Sequence, residues 1–93
     1  MADRRYRIKS VVHTGTYGTE GEERIDDLYP ERKLRTLIID PDEIEIGRNL
    51  FMRCEENYLK SMITSPVKMV TVTGNRRFLR IETRNSVYYM EEI

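Results

Sequence analysis

The chain predicts a mainly β fold: a small barrel, or a highly curved antiparallel sheet of five to seven strands. Three observations carry that expectation. The last third, residues 65–93, holds three β-rich runs separated by two turn signals. Residues 4–14 alternate with the period of a strand, and residues 34–46 add two further β-like runs. Only a short stretch near residues 22–29 has helical spacing, so at most one short helix is expected.

The first strand is read over Arg4–Thr14. Tyr6, Ile8, Ser10 and Val12 share one face, with Arg5, Arg7, Lys9 and Val11 on the other, so Tyr6, Ile8 and Val12 are expected inside. His13 ends this strand. A Gly-rich and acidic loop is expected over about 14–31. It carries Gly15, Gly18 and Gly21 but no phosphate-loop pattern, and its carboxylates would repel an anion. Within it, Ile25, Leu28 and Tyr29 suit one face of a short helix that Pro30 stops.

Leu34–Asp40 reads as a central strand, followed by a turn at Asp40-Pro41-Asp42-Glu43, where proline pre-sets φ. Glu43–Ile46 then alternates up to a bend at Gly47. Asn49–Ile63 admits two readings. Phe51, Cys54, Tyr58 and Met62 have near-helical spacing, while Glu55-Glu56-Asn57 supplies a turn between two apolar runs. A hairpin is preferred because a helix would interrupt the meander. Pro66 is placed at the start of the last sheet, where its missing N–H is tolerated.

In that sheet, a loop over Gly74–Arg77 sets Val72 opposite Leu79 and Val70 opposite Ile81, gathering four aliphatic residues on one face. A reversal at Arg84-Asn85-Ser86 leads into Val87–Met90. A three-residue loop pairs Ile81 with Tyr89, and a two-residue loop pairs it with Tyr88. Apolar residues on both faces of this strand imply cover on both sides or an aromatic face offered to a partner.

Ninety-three residues form one domain of small-barrel size, SH3-like or Sm-like, able to bury a core without metal or disulfide. The single Cys54 argues for no oxidising compartment, and neither a signal peptide nor an apolar span is evident, so a cytoplasmic location is expected. Sixteen basic and sixteen acidic residues cancel. Residues 14–31 are nonetheless acidic, while 1–13 and 66–93 are basic. Any electrostatic partner is therefore met locally.

No motif carries chemistry. The carboxylate pairs Glu22/Glu23, Asp26/Asp27, Asp40/Asp42, Glu55/Glu56 and Glu91/Glu92 fall where solvated charge is expected, and an enzyme would need His13 and Cys54 to meet in space. No metal or cofactor is expected. The remaining signal is basic residues interleaved with aromatics. Arg76, Arg77, Phe78, Arg80, Arg84, Tyr88 and Tyr89 are the candidate binding residues, with Lys68 nearby. Two functions compete for them. One is a non-catalytic interaction module, in which a protein partner or a second copy adds to a sheet edge or covers Phe78, Tyr88 and Tyr89. The other is a nucleic-acid-binding barrel, with bases stacked on the rings and arginines on phosphates. No membrane role is expected.

Overall fold

The computed structural model describes residues 3–15, 19–23 and 33–93. Within them six antiparallel strands close a barrel in sequence order. They are β1 (Arg4–His13), β2 (Leu37–Ile39), β3 (Asn49–Cys54), β4 (Met62–Thr73), β5 (Phe78–Thr83) and β6 (Ser86–Glu92). The helical segments among the described residues are two three-residue 3-10 turns, Pro41–Glu43 and Tyr58–Lys60. None of the described helices is long and apolar enough to cross a membrane.

The core is built from alternate residues of every strand: Tyr6 and Ile8, Leu37, Met52 and Cys54, Val67, Leu79 and Ile81, Met90. Each large side chain buried here contributes about 1.5–3 kcal/mol. One alternation departs from expectation. Ile8 pairs with Met90 and Ser10 with Tyr89, so Lys9 is an extra residue, a β-bulge. The bulge shifts the strand by one, which turns Val11 into the core and Val12 outward.

The β4–β5 register is the expected one, Val72 opposite Leu79 and Val70 opposite Ile81. The loop between them holds Gly74, Asn75 and Arg76 at positive φ in succession. A side chain at Gly74 would also start 3.0 Å from the Phe78 ring. The four-aliphatic face is only partly realised: Leu79 and Ile81 are buried, while Val70 is half-buried and Val72 is 40% exposed on the part of β4 that has left β3. At the second reversal the two-residue loop prevails, pairing Ile81 with Tyr88.

Asn49–Ile63 is a hairpin, with Phe51 opposite Ile63 and Met52 opposite Met62. Tyr58 and Leu59 do not continue it. The Asn57 side chain accepts the Leu59 N–H and caps a 3-10 turn there instead. Pro66 lies inside β4 rather than at its start. It stands opposite Asn49, where β4 leaves β3 and takes up β5. A missing N–H is tolerated at such a handover.

The strand expected over Leu34–Asp40 shortens to three residues, with Leu34 exposed. Glu43–Ile46 joins no ladder despite its alternation. Asp40 caps the Pro41–Glu43 turn by accepting the Asp42 N–H, and Ile46 is left in solvent. Of the loop at 14–31, the described part is tied to the end of β1. Gly21 N–H donates to the His13 carbonyl, His13 N–H donates to Glu22, and Glu23 bridges Val12. Glu22 and Glu23 thus begin no helix, and the rest of the expected helix, residues 24–29, lies outside the described residues.

Candidate functional site

The outer faces of β4, β5, β6 and β1 form one surface whose rows follow from the registers. Thr73, Phe78, Glu91 and Arg7 lie side by side in the first row, and Thr71, Arg80, Tyr89 and Ser10 in the second. Met69, Glu82, Val87 and Val12 make the third. Phe78 is 44% and Tyr89 38% exposed, each with one short cross-strand neighbour, Thr73 beside Phe78 and Ser10 beside Tyr89. Between them opens a groove of about 410 Å³, lined by Thr71, Thr73, Phe78, Tyr89, Arg80 and Lys9.

The structure brings some of the seven candidate residues together and keeps the others apart. Phe78, Arg80 and Tyr89 do come together. The Arg80 guanidinium lies 5.8 Å from the centre of the Tyr89 ring, with Nε 3.5 Å from its hydroxyl. The hydrogen bond to Tyr89 is the main reason the Arg80 pKa is pushed up. Arg77 joins them, its guanidinium 5.5 Å from the centre of the Phe78 ring. Tyr88 does not: it faces inward among the core residues, only 7% exposed. The two-residue turn decides this, because a register one residue longer would have turned Tyr89 inward instead. Val87 shares the outer face with Tyr89 and is nevertheless buried. The outer face of β6 is thus covered at Val87 and half-exposed at Tyr89.

The arginines also divide. Arg76 and Arg77 sit in the loop before β5, and Arg84 in the turn after it. Six strand residues separate those ends by about 20 Å. Arg76, Arg77 and Arg80 each have a carboxylate partner. Arg76 reaches Asp42 at 3.0 Å, Arg77 reaches Glu91 at 3.5 Å and Arg80 reaches Glu82 at 3.3 Å. Such exposed pairs add about 0–1 kcal/mol to stability. Their larger effect is on the surface potential, since each carboxylate offsets the cation beside it. Glu91 and Glu92, expected among solvated ends, are therefore strand residues with partners: Glu91 faces Lys9 and Arg77, and Glu92 faces Arg4.

A second apolar surface went unread in the sequence. On the opposite wall Phe51 and Ile63 form an exposed cross-strand pair, and the Tyr58 ring lies 5.9 Å from that of Phe51. Leu59 beside them is 90% exposed. The signal that would have found this surface is Asn57, a capping residue directly before Tyr58-Leu59, which argues for a turn that lifts both side chains outward.

His13 and Cys54 are not brought together. Cys54 is buried, pairs with Leu37 beside Tyr6, and its thiol donates to Glu56. His13 stands seven residues further along β1, about 20 Å away. Among the described residues no three His, Cys, Asp or Glu side chains gather as metal ligands do. Comparison of the chain with family models, with curated proteins and with solved structures gives no match.

Proposed function

We propose that the chain is a non-catalytic interaction module that takes a protein partner on the outer face of β4, β5 and β6. The observation that carries this reading is the pair Phe78 and Tyr89. Two half-exposed rings stand either side of a groove, and the arginines beside them, Arg77 and Arg80, each have a carboxylate neighbour. An apolar side chain seated between the rings would bury ring surface at little cost in displaced charge. A nucleic-acid strand would instead have to compete with Asp42, Glu91 and Glu82 for the arginines. The rim favours protein over phosphate.

Two measurements test the proposal together. Labelled single-stranded DNA and RNA, titrated at low and moderate salt, should show no saturable binding. Saturable, salt-sensitive binding that weakens in Arg80→Ala would overturn the protein reading in favour of the nucleic-acid one. In the second measurement, immobilised wild-type chain should retain a specific polypeptide from cell extract that the Phe78→Ala, Tyr89→Ala double variant loses. Equal retention by the two would remove this face from the site.

A further inference from the structure

The edge of β4 suggests a different contact. After Pro66 the strand leaves β3, and its last bonds on that side are Val67 N–H to the Arg48 carbonyl and Gly47 N–H to the Val67 carbonyl. From Lys68 to Thr73 the strand pairs with β5 alone, and among the described residues no other strand flanks it. Alternate residues of a strand aim their N–H and C=O to opposite sides, so this edge presents backbone groups to whatever lies beside it. Natural edges are usually blunted by proline, charge or a bulge. Here Lys68 marks a bulge at the start, and Met69–Thr73 is regular, uncharged and free of proline.

An independent sign is Val72. It lies on the same face as the core residue Leu79 opposite it and is yet 40% exposed. Val70, on that face too, is only half-buried. A strand laid against this edge would cover both.

We propose that two copies of the chain pair edge to edge through Lys68–Thr73, antiparallel, about a two-fold axis at Thr71. The sequence is its own complement in that register. Val70 of each copy meets Val72 of the other, Met69 meets Thr73, and Lys68 meets Gly74, so apolar residues share the inner face and no like charges oppose. An axis at Val70 would set Lys68 against Val72, and an axis at Val72 would set Val70 against Gly74. Neither matches both valines. The zero net charge opposes association by no long-range repulsion.

Sedimentation velocity of the full chain over a concentration series tests this contact. A reversible monomer–dimer equilibrium is expected, with Val72→Lys raising the dissociation constant at least tenfold while its circular dichroism stays that of the wild type. Thr71→Cys should form a disulfide dimer under mild oxidation, since paired residues across such a ladder lie about 4.5–5.5 Å apart at Cα. Lys68→Cys, which opposes Gly74, should not. A wild type that stays monomeric at its highest soluble concentration overturns the proposal. So does a Thr71→Cys chain that cross-links no faster than Lys68→Cys. Should Val72→Lys fail to fold, the cysteine pair decides alone. Phe78→Ala should leave the dimer intact, which keeps this contact distinct from the partner face.

Discussion

The barrel has two unlike walls. On one, β4, β5, β6 and β1 pair at five to seven positions with each neighbour, with one bulge in β1 and one in β4. On the other, β2 offers three residues, paired at three positions to β1 and at two to β3. Side chains do what the missing ladder cannot. Glu56 accepts both the Thr36 N–H at 2.8 Å and its hydroxyl at 2.5 Å, while the Cys54 N–H donates to Ser61 Oγ at 2.9 Å. An Arg35 guanidinium N–H reaches the Lys60 carbonyl. The long wall is held by groups every residue has. The short wall leans on particular side chains, and it is therefore the wall that titration of one carboxylate can loosen.

The strongest test of that contrast lies in the core of the long wall. Leu79→Ala or Ile81→Ala should cost about 2–5 kcal/mol in urea unfolding, because each deletes a fully enclosed side chain. A loss below about 1 kcal/mol would mean that this wall is not the rigid one.

Next in size is Tyr6→Phe. Tyr6 sits where the walls meet, paired with Leu37 on one side and Glu92 on the other, and its buried hydroxyl donates to the Arg76 carbonyl at 2.5 Å. Removing that donor should cost about 1–2 kcal/mol. Burial, with Glu92 nearby, also pushes the Tyr6 pKa above its ordinary 10. The unfolded chain then releases this proton first, and stability should fall as pH rises past 10. Flat stability across that range would contradict the assignment.

A smaller effect is expected from Glu56→Gln, but confined to one wall. The hydrogen bonds from Thr36 hold the Glu56 carboxyl at about 2 against its usual 4.5. A lowered folded-state pKa means the contribution is complete above pH 4.5 and lost as pH falls toward 2. Solvent screens this exposed group, which keeps the effect small. Protection against hydrogen exchange, taken relative to the intrinsic rate at each pH, should fall at Leu37–Ile39 in the variant, or in wild type on acidification, with protection in β5 unaffected. An equal fall in β5 would erase the distinction between the walls. Smallest of all, Phe78→Ala and Tyr89→Ala should each change stability by no more than about 0.5 kcal/mol, as rings half in solvent on a laddered surface. A larger loss would assign those rings to the fold rather than to a partner.

The same contrast explains what could be read from the chain. Where a ladder and a buried face agree, as at Val70, Val72, Leu79 and Ile81, alternation alone fixes the register, and the closed mainly β architecture follows from several such runs. It fails where one residue is added. Lys9 looks like any exposed position, yet as a bulge it exchanges the places of Val11 and Val12. It fails again at Tyr88 and Tyr89, where two adjacent aromatics satisfy either face and only the turn length chooses. For the candidate site, Phe78, Arg80 and Tyr89 are neighbours in space because β5 and β6 are neighbours in the chain. The carboxylates that balance Arg76 and Arg77 were illegible, since Asp42 and Glu91 come from outside the β5 hairpin loop that holds those arginines. On the short wall, Thr36 and Glu56 meet through side-chain geometry that no periodicity encodes.

The β1–β6 seam has a further consequence, in the order of events by which the barrel is made. Arg4 and Glu92, joined by a 3.0 Å ion pair across it, are 88 residues apart. The β4–β5–β6 meander joins close neighbours, while the seam must close the longest loop the chain contains, with the entropy cost that implies. We therefore expect the meander to form early and β1 to be recruited last. Pulse-labelled exchange during refolding should protect β5 before β1, and simultaneous protection would refute that order. Until the seam shuts, Tyr88 and Met90 have no Val11 or Ile8 to lie against. The interval before closure is when this protein is most open to the wrong partner.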